Sequence, residues 1–309
     1  MDTPASSIHE QPARWTFAQK LMGNPILAKE LKGRMRGRQG FIILASYLSL
    51  ISLVIAGLYF YSTDGVNMAR ANPDSLQEMG KLIFSMVVMF EFLMIGLIGP
   101  ALTSGAISSE RERQTFDLLR TSLLSSRDLV FGKLLTTVIY LMLLVLAALP
   151  LQSLVFFLGG VGMGEMIISF VMLTATAFLF CTLGLYFSTI ARRTIIATVL
   201  SYTSIFLPNI VLVFVFAVFI NNIIDTNTVT DEIIVLALNS VWVLLSTNPI
   251  SAGLVTQFML VEEQSLFLIY PPDFSLVLFS PWIVYVVYSV LMTAAMLKLI
   301  VFYLDRYER

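Results

Sequence analysis

The residues of this chain that could do chemistry are few, and most of them lie in one polar stretch. Residues 108–119 read Ser-Ser-Glu-Arg-Glu-Arg-Gln-Thr-Phe-Asp-Leu-Leu, in which acidic and basic side chains alternate. Ser109 and Glu112 have the spacing of a capping box, so a short helix is expected to start there. The stretch also carries an apolar ridge, formed by Phe116, Leu119 and Leu123. Such a segment suits docking to another protein or a solvated connector, and both interpretations stay open on these residues alone.

The chain has few of the residue types that catalysis and metal binding require. The chain has one histidine, His9, and one cysteine, Cys181, which lies inside an apolar run. An intramembrane hydrolase or transferase needs a nucleophile with a base, or paired carboxylates, and the apolar runs supply neither. The glycine-rich stretch 159–165 lacks the lysine of a phosphate-binding loop. We therefore expect no catalytic residue, metal site or bound cofactor in this chain.

Glu91 is the one acidic residue well inside an apolar run. A charge at the bilayer centre costs roughly 2.5–3.5 kcal/mol on insertion scales, so this carboxyl should be neutral, paired or facing water. It could belong to a substrate or ion pathway, or make a structural hydrogen bond between helices. The same two alternatives apply to the hydroxyl and amide side chains in the apolar runs, namely Ser104, Thr174, Thr176, Ser201, Thr203, Ser204 and Asn209.

The elements that must position these residues are membrane spans. Hydrophobic residues make up 57% of the chain and charged residues 13%, and the mean hydropathy is +0.85. Soluble domains are about 25% charged, so the sequence predicts an all-α polytopic membrane protein. Since a crossing needs about 20 apolar residues, we place six transmembrane helices near 41–61, 82–105, 129–158, 166–190, 195–221 and 280–303. Pro100, Pro150 and Pro208 lie within three of them, as simple kinks or as hinges.

The distribution of lysine and arginine sets the orientation. Segments 1–40, 106–133, 190–194 and 298–309 carry seven, five, two and three of them, whereas 62–81 carries two and 159–165 and 222–279 carry none. By the positive-inside rule both termini are cytoplasmic. We expect a multi-pass protein of a plasma or inner membrane, in a bacterium. On the opposite side, Ser280-Pro281 should start the sixth span, with Trp282, Tyr285 and Tyr288 near the outer interface.

The chain divides into four regions on this scheme. Residues 1–40 form a cytoplasmic tail with an amphipathic helix, and 41–221 hold the first five spans. Residues 222–279 form an external segment, whose apolar pieces 233–247 and 251–261 are external or partly re-entrant helices rather than two more spans. Residues 280–309 are the sixth span and a cytoplasmic C-terminus.

The amphipathic helix begins at Asn24-Pro25, a cap followed by proline in the first turn. Lys29, Lys32 and Arg36 lie on its basic face. Such a helix lies along the lipid headgroups at the inner surface. It is either a generic basic anchor or, in addition, a contact for a cytosolic partner.

Several motifs in this order resemble the type-2 ATP-binding-cassette (ABC) transporter permeases. Residues 110–119, followed by Thr-Ser-Leu-Leu-Ser at 121–125 and Gly-Lys-Leu at 132–134, are similar to that family's E-x-E-x-G-T-L-E-x-L, T-S-P-L-S and G-K-L motifs. The Asn24-Pro25 start with Lys29-Glu30-Leu31 is similar to the family's N-terminal interface helix. Two positions depart from the pattern, Gln114 in place of glycine and Leu123 in place of proline.

The resemblance implies a function for each of these segments. Residues 108–122 would be the coupling helix that docks on a separate cytosolic ATPase subunit, which binds ATP and Mg. The coupling residues implied are Glu110, Arg111, Glu112, Arg113, Thr115, Phe116, Asp117, Leu119 and Arg120. Lys29, Glu30, Lys32 and Arg36 would belong to the interface helix. A second permease copy or a paralogue would complete an exporter. Membrane lipids would be further partners, and no nucleic acid is expected to bind. A passive channel or a membrane anchor for a cytosolic complex is the alternative.

Overall fold

The computed structural model describes residues 33, 38–61, 73–115, 126–158, 160–225, 240–262, 268–269 and 278–307. The named helices are α1 (Arg38–Tyr61), α2 (Pro73–Thr103), α3 (Ser108–Glu112), α4 (Ser126–Leu158), α5 (Met163–Ile190), α6 (Thr194–Asp225), α7 (Pro249–Glu262) and α8 (Pro281–Tyr307). Residues 240–247 are helical as well. Two-residue strands β1 (Leu268–Ile269) and β2 (Leu278–Phe279) pair antiparallel.

Six of these helices are long and apolar enough to cross a membrane, namely α1, α2, α4, α5, α6 and α8. This confirms the predicted all-α polytopic fold and its six spans. Helices α2, α4 and α6 contain 31, 33 and 32 residues, more than the ~20 that a crossing needs, so they extend beyond the hydrocarbon. The predicted interface helix lies outside the described residues, apart from Gly33 and Arg38, and so do Lys29, Glu30, Lys32 and Arg36.

Helix α5 is the centre of the bundle, because it packs against α2, α4, α6, α7 and α8. Its crossing with α2 is close, since small residues meet there. A Cβ atom added to Gly184 would overlap Thr103 Oγ1 and lie 3.2 Å from Pro100 Cα. A Cβ on Gly99 would lie 3.4 Å from Cys181 Sγ. Small residues at a helix contact let two backbones approach in this way, which gains dispersion energy that the hydrophobic effect does not supply in lipid.

The start of α8 agrees with the sequence in one respect and differs in another. The helix begins at Pro281 directly after the buried Ser280, as predicted. Tyr285, however, is not an interfacial anchor. It is fully buried, and its hydroxyl lies 2.7 Å from Thr176 Oγ1 in α5. A tyrosine hydroxyl that finds a partner inside the bundle is better satisfied there than in lipid, so Tyr285 links two spans.

The segment before α8 reaches between the spans. Asn248 and Pro249, at the start of α7, line a cavity together with Pro208 and Met292, which lie in the middle of α6 and α8. A Cβ on Gly253 would lie 3.3 Å from the Phe92 ring in α2. These contacts pack α7 against the spans, and the location of the segment, external or partly re-entrant, stays a prediction. Residues 226–239, 263–267 and 270–277 of that segment lie outside the described part of the chain.

Candidate functional site

The connection from α2 towards α4 carries the charged residues singled out in the sequence, and we call residues 104–115 the coupling turn. Its helix α3 begins at Ser108, and the residue before it, Ile107, makes no side-chain cap. Ser109 Oγ donates instead to the Gly105 carbonyl, and the Glu112 carboxylate accepts its hydrogen bonds from another helix. The predicted capping box is therefore wrong, because both of its side chains find partners elsewhere.

Of the predicted coupling helix 108–122, the structure describes residues 108–115. Helix α3 stops at Glu112, and Gln114 follows with φ of +57°, in the left-handed region. Glycine adopts this conformation without the steric cost that a Cβ brings. This geometry accounts for the glycine that the ABC permease motif favours at this position. Four predicted coupling residues lie outside the described residues, namely Phe116, Asp117, Leu119 and Arg120.

Ser188, near the end of α5, holds the start of α3. Its Oγ accepts hydrogen bonds from the backbone N–H groups of Ile107, at 2.8 Å, and Ser108, at 3.0 Å. Ser188 and Ser108 are both fully buried. The first N–H groups of a helix have no partner within it. A side chain from α5 therefore supplies, from a different span, the cap that the sequence of α3 lacks.

Glu112, the last residue of α3, caps the start of α6. Its Oε1 accepts from the Thr194 backbone N–H at 2.9 Å, and its Oε2 accepts from the Thr194 hydroxyl at 3.0 Å. Thr194 is the first residue of α6, so a carboxylate sits where the helix dipole favours negative charge. These two hydrogen bonds, with a smaller contribution from nearby Arg193, hold the pKa of Glu112 below its usual range. Glu112 is exposed and lies beyond Thr103, the last residue of α2.

Three further side chains tie the coupling turn to its neighbours. Lys133 of α4 donates to the Ala106 carbonyl, and its ammonium lies 3.6 Å from Glu110 Oε1. The other carboxylate oxygen of Glu110 accepts from the Thr115 hydroxyl at 2.5 Å. Arg111 donates to the Thr189 carbonyl, at the end of α5, at 2.8 Å. Glu110, Arg111 and Glu112 thus hold the turn to neighbouring helices, and Thr115 braces it from within. The side chains of Arg113 and Gln114 are exposed.

Further hydroxyls join the coupling turn to α6. Ser104 Oγ and Thr198 Oγ1 are 2.8 Å apart, and Ser108 Oγ donates to the Ser104 carbonyl at 2.8 Å and to Thr194 Oγ1 at 3.2 Å. The coupling turn is consequently bonded to α4, α5 and α6 at once. A displacement of α3 must stretch these bonds or move the ends of those spans.

Comparison with known protein families decides what such a chain is. Residues 24–306 match the profile of the family described as ABC-2 family transporter protein. The chain belongs to the ABC-2 transporter family. It is a multi-pass membrane permease component of an ABC transporter, a class that associates with an ATP-binding subunit. No individual curated protein matches the sequence.

Sequence reasoning missed the residues of this ABC-2 permease that receive the coupling turn. Lys133 belongs to the Gly-Lys-Leu motif, but the motif alone does not predict that its ammonium group contacts Ala106 and Glu110. Ser188 and Thr194 carry no local signal, because their roles depend on which helices are neighbours. The arginine pair at 192–193 marked the loop between α5 and α6 only as a charged connection.

Glu91 of the permease lies away from the coupling turn, inside the bundle. It is fully buried, and Tyr47 of α1 donates a hydrogen bond to its Oε1 at 3.4 Å. Gln152 of α4, 5% exposed, lies beside the same carboxyl, and Oε2 has no hydrogen-bond partner in the described part of the chain. The carboxyl of α2 thus contacts residues of two other spans, α1 and α4. Among the described residues there is no group of three or more His, Cys, Asp or Glu side chains that could hold a metal ion.

Proposed function

We propose that this chain is the permease subunit of an ATP-driven exporter, paired with a second copy or a paralogue and docked on separate cytosolic ATPase subunits. ATP and Mg would bind to those subunits, and this chain would supply the substrate pathway. Both termini and the coupling turn would lie in the cytoplasm, as the lysine and arginine distribution predicts. One observation carries the proposal: the coupling turn is hydrogen-bonded to α5 and α6 through Ser188 and Glu112.

The mechanism follows from that bonding. An ATPase subunit that closes on nucleotide would push the exposed face of the coupling turn, where Arg113 and Gln114 lie. Glu112 would pass the displacement to the first turn of α6, and Ser188 would pass it to the end of α5. Rocking of these spans against those of the partner permease would then alternate access to the pathway. Arg113 would contact the ATPase directly, while Glu110, Arg111 and Glu112 would transmit force within the chain.

Charge reversal of Arg113 tests the docking step. The Arg113→Glu substitution removes a cation from the exposed face and leaves the hydrogen bonds of Ser188 and Glu112 in place. We expect the variant to fold with the melting temperature of the natural chain and to recover several-fold less of a co-expressed ATPase subunit on affinity purification. Reversal of Glu110 or Glu112 is a poorer test, because it would also break bonds inside the permease.

Arg306→Glu is the matched control, since Arg306 is an exposed arginine in the last turn of α8, on the same predicted side of the membrane. Equal ATPase recovery with both variants would contradict docking through the coupling turn. A Gln114→Cys variant tests the orientation separately, because the natural Cys181 is buried. An impermeant thiol reagent should label this variant in inverted vesicles and not in intact cells; labelling of intact cells would overturn the assignment.

A further inference from the structure

A groove runs between α5 and α8 on the outside of the bundle. Its volume is about 590 Å³, within the range of about 300–1,000 Å³ that drug-sized ligands occupy. Phe170 and Phe178 belong to the α5 side, and Ala294 and Leu297 belong to the α8 side. Val290, also in its lining, is 58% exposed, so the groove opens sideways, away from the other helices.

The groove lies at the depth of the hydrocarbon. All of its lining residues fall within 170–178 of α5 and 286–297 of α8, which are central parts of two membrane-crossing helices. Only lipid chains, molecules dissolved among them, or another membrane helix can reach an opening at that depth. The exposed residues beside it on α8, Val287 and Leu291, are apolar, as hydrocarbon requires.

One polar atom in the groove lacks a hydrogen-bond partner among the described residues. Thr293 is 8% exposed and lines the groove, and its Oγ1 makes no hydrogen bond to any described residue. Threonines in helices ordinarily donate to the carbonyl four residues earlier, as Thr174 and Thr182 do here. A buried hydroxyl left unpaired costs free energy, and hydrocarbon cannot pair with it.

The other two hydroxyls of the groove are arranged differently. Ser289 Oγ donates to the Val286 carbonyl at 2.9 Å, and Thr174 Oγ1 donates to the Phe170 carbonyl at 2.8 Å. Each oxygen keeps lone pairs that can accept a hydrogen bond. The groove therefore offers one donor, Thr293, and two acceptors, on an otherwise apolar surface.

We propose that this groove binds an apolar small molecule that is dissolved in the bilayer and carries a hydroxyl or carbonyl group, to which Thr293 donates a hydrogen bond. The ester groups of a phospholipid lie at the membrane surface, so its acyl chain alone would leave Thr293 unpaired. Treating this ligand class as the cargo rests on the proposed export function. Binding itself needs neither ATP nor the ATPase, so the two can fail separately.

Photolabelling of the full chain in liposomes tests the binding. The probe is a hexadecanol whose hydroxyl is at carbon 8, in the middle of the chain, and which carries a diazirine; the labelled peptides are identified by mass spectrometry. We expect labels on the α5 and α8 peptides that line the groove, with competition by unlabelled hexadecanol and weaker competition by hexadecane. The Thr293→Val substitution keeps the shape and removes the donor. It should weaken hexadecanol competition roughly 3- to 10-fold, the effect of one hydrogen bond, and leave hexadecane competition unchanged.

A tryptophan that fills the groove gives the second test. Ala294→Trp should abolish the labelling, whereas Leu291→Trp should not, because Leu291 is 65% exposed on the same helix and does not line the groove. Equal labelling of these two variants, or equal hexadecanol competition in Thr293→Val and the natural chain, would overturn the proposal. Absence of groove labelling in the natural chain, together with dissociation of a permease dimer by Ala294→Trp, would show instead that a helix of a second copy fills the groove.

Discussion

Removal of the Ser188 hydroxyl should destabilise the coupling turn locally. In Ser188→Ala, the N–H groups of Ile107 and Ser108 lose their acceptor, and both residues are at most 1% exposed. A buried donor left unsatisfied costs about 1–3 kcal/mol, so the two together cost about 2–6 kcal/mol. Water that enters the space left by the hydroxyl would bring the value towards the lower end. Because the loss is local, it should appear first as opening of residues 104–115.

Amide hydrogen exchange measures this opening directly, since exchange of a protected amide reports the free energy of the opening that exposes it. A loss of about 2 kcal/mol corresponds to roughly 30-fold faster exchange at Ile107 and Ser108. Thr189→Val is the matched control. Thr189 is the next residue and is equally buried, and among the described residues its hydroxyl bonds only to the Leu185 carbonyl of its own helix. That substitution should cost about 1 kcal/mol or less and leave exchange in the coupling turn unchanged.

Comparison of the two variants shows whether Ser188 is the cap of α3. If Ser188→Ala and Thr189→Val change the exchange of Ile107 and Ser108 by the same factor, Ser188 is not the cap of α3. If amide exchange accelerates in Ser188→Ala but the stimulated ATPase activity of the assembled transporter is unchanged, Ser188 caps α3 and its hydrogen bonds transmit no force. Faster exchange with weaker ATPase stimulation is the expected result.

The remaining predictions concern the same turn and the helix crossing beneath it. Gln114→Gly should raise the free energy of unfolding by about 0.5–1 kcal/mol, because it relieves a left-handed non-glycine residue; thermal unfolding measures this, and a loss of stability would argue against the observed φ. Glu112 has a folded pKa below its unfolded value of about 4.3, so its contribution to stability is complete above that pH and is lost as the pH falls through the folded pKa. Melting temperatures between pH 3 and 6 should show a dependence in the natural chain that Glu112→Gln reduces, and parallel curves would refute the contact with Thr194. Gly184→Ala should destabilise by about 1–3 kcal/mol through overpacking against α2. Gly57→Ala, with no atom within 4 Å of the added Cβ, should be neutral or mildly stabilising in the same unfolding assay, and equal effects of the two would contradict the close crossing.

The spans could be read from the sequence because each depends only on its own residues. The predicted span 166–190 contains no charged residue, whatever lies beside it. The start of α8 at Pro281 was predictable for the same reason, since proline is favoured in a first turn. Orientation uses only the lysines and arginines of the loops and remains a prediction here.

The candidate site was only half predictable, because its bonds join distant residues. Ser109 and Glu112 have the local spacing of a capping box, yet Glu112 is 82 residues from its partner Thr194. Ser188 likewise lies 81 residues from Ile107. Nothing within either segment reveals which helix end will lie opposite. Tyr285 shows the same limit, since its place near a span terminus suggested an interface and its partner Thr176 lies on another span.

The crossing at Gly184 has a consequence for how this protein can change shape. Where the backbones of α2 and α5 come this near, no flexible side chain lies between them to absorb sliding, so the pair must travel as one body. Helices α1 and α6 are far less enclosed within this chain, and apolar side chains such as Leu53 of α1 and Ile210 of α6 are 68% and 66% exposed. In a transport cycle, α1 and α6 would therefore move relative to the rigid pair of α2 and α5. The largest displacements should occur in α1 and α6.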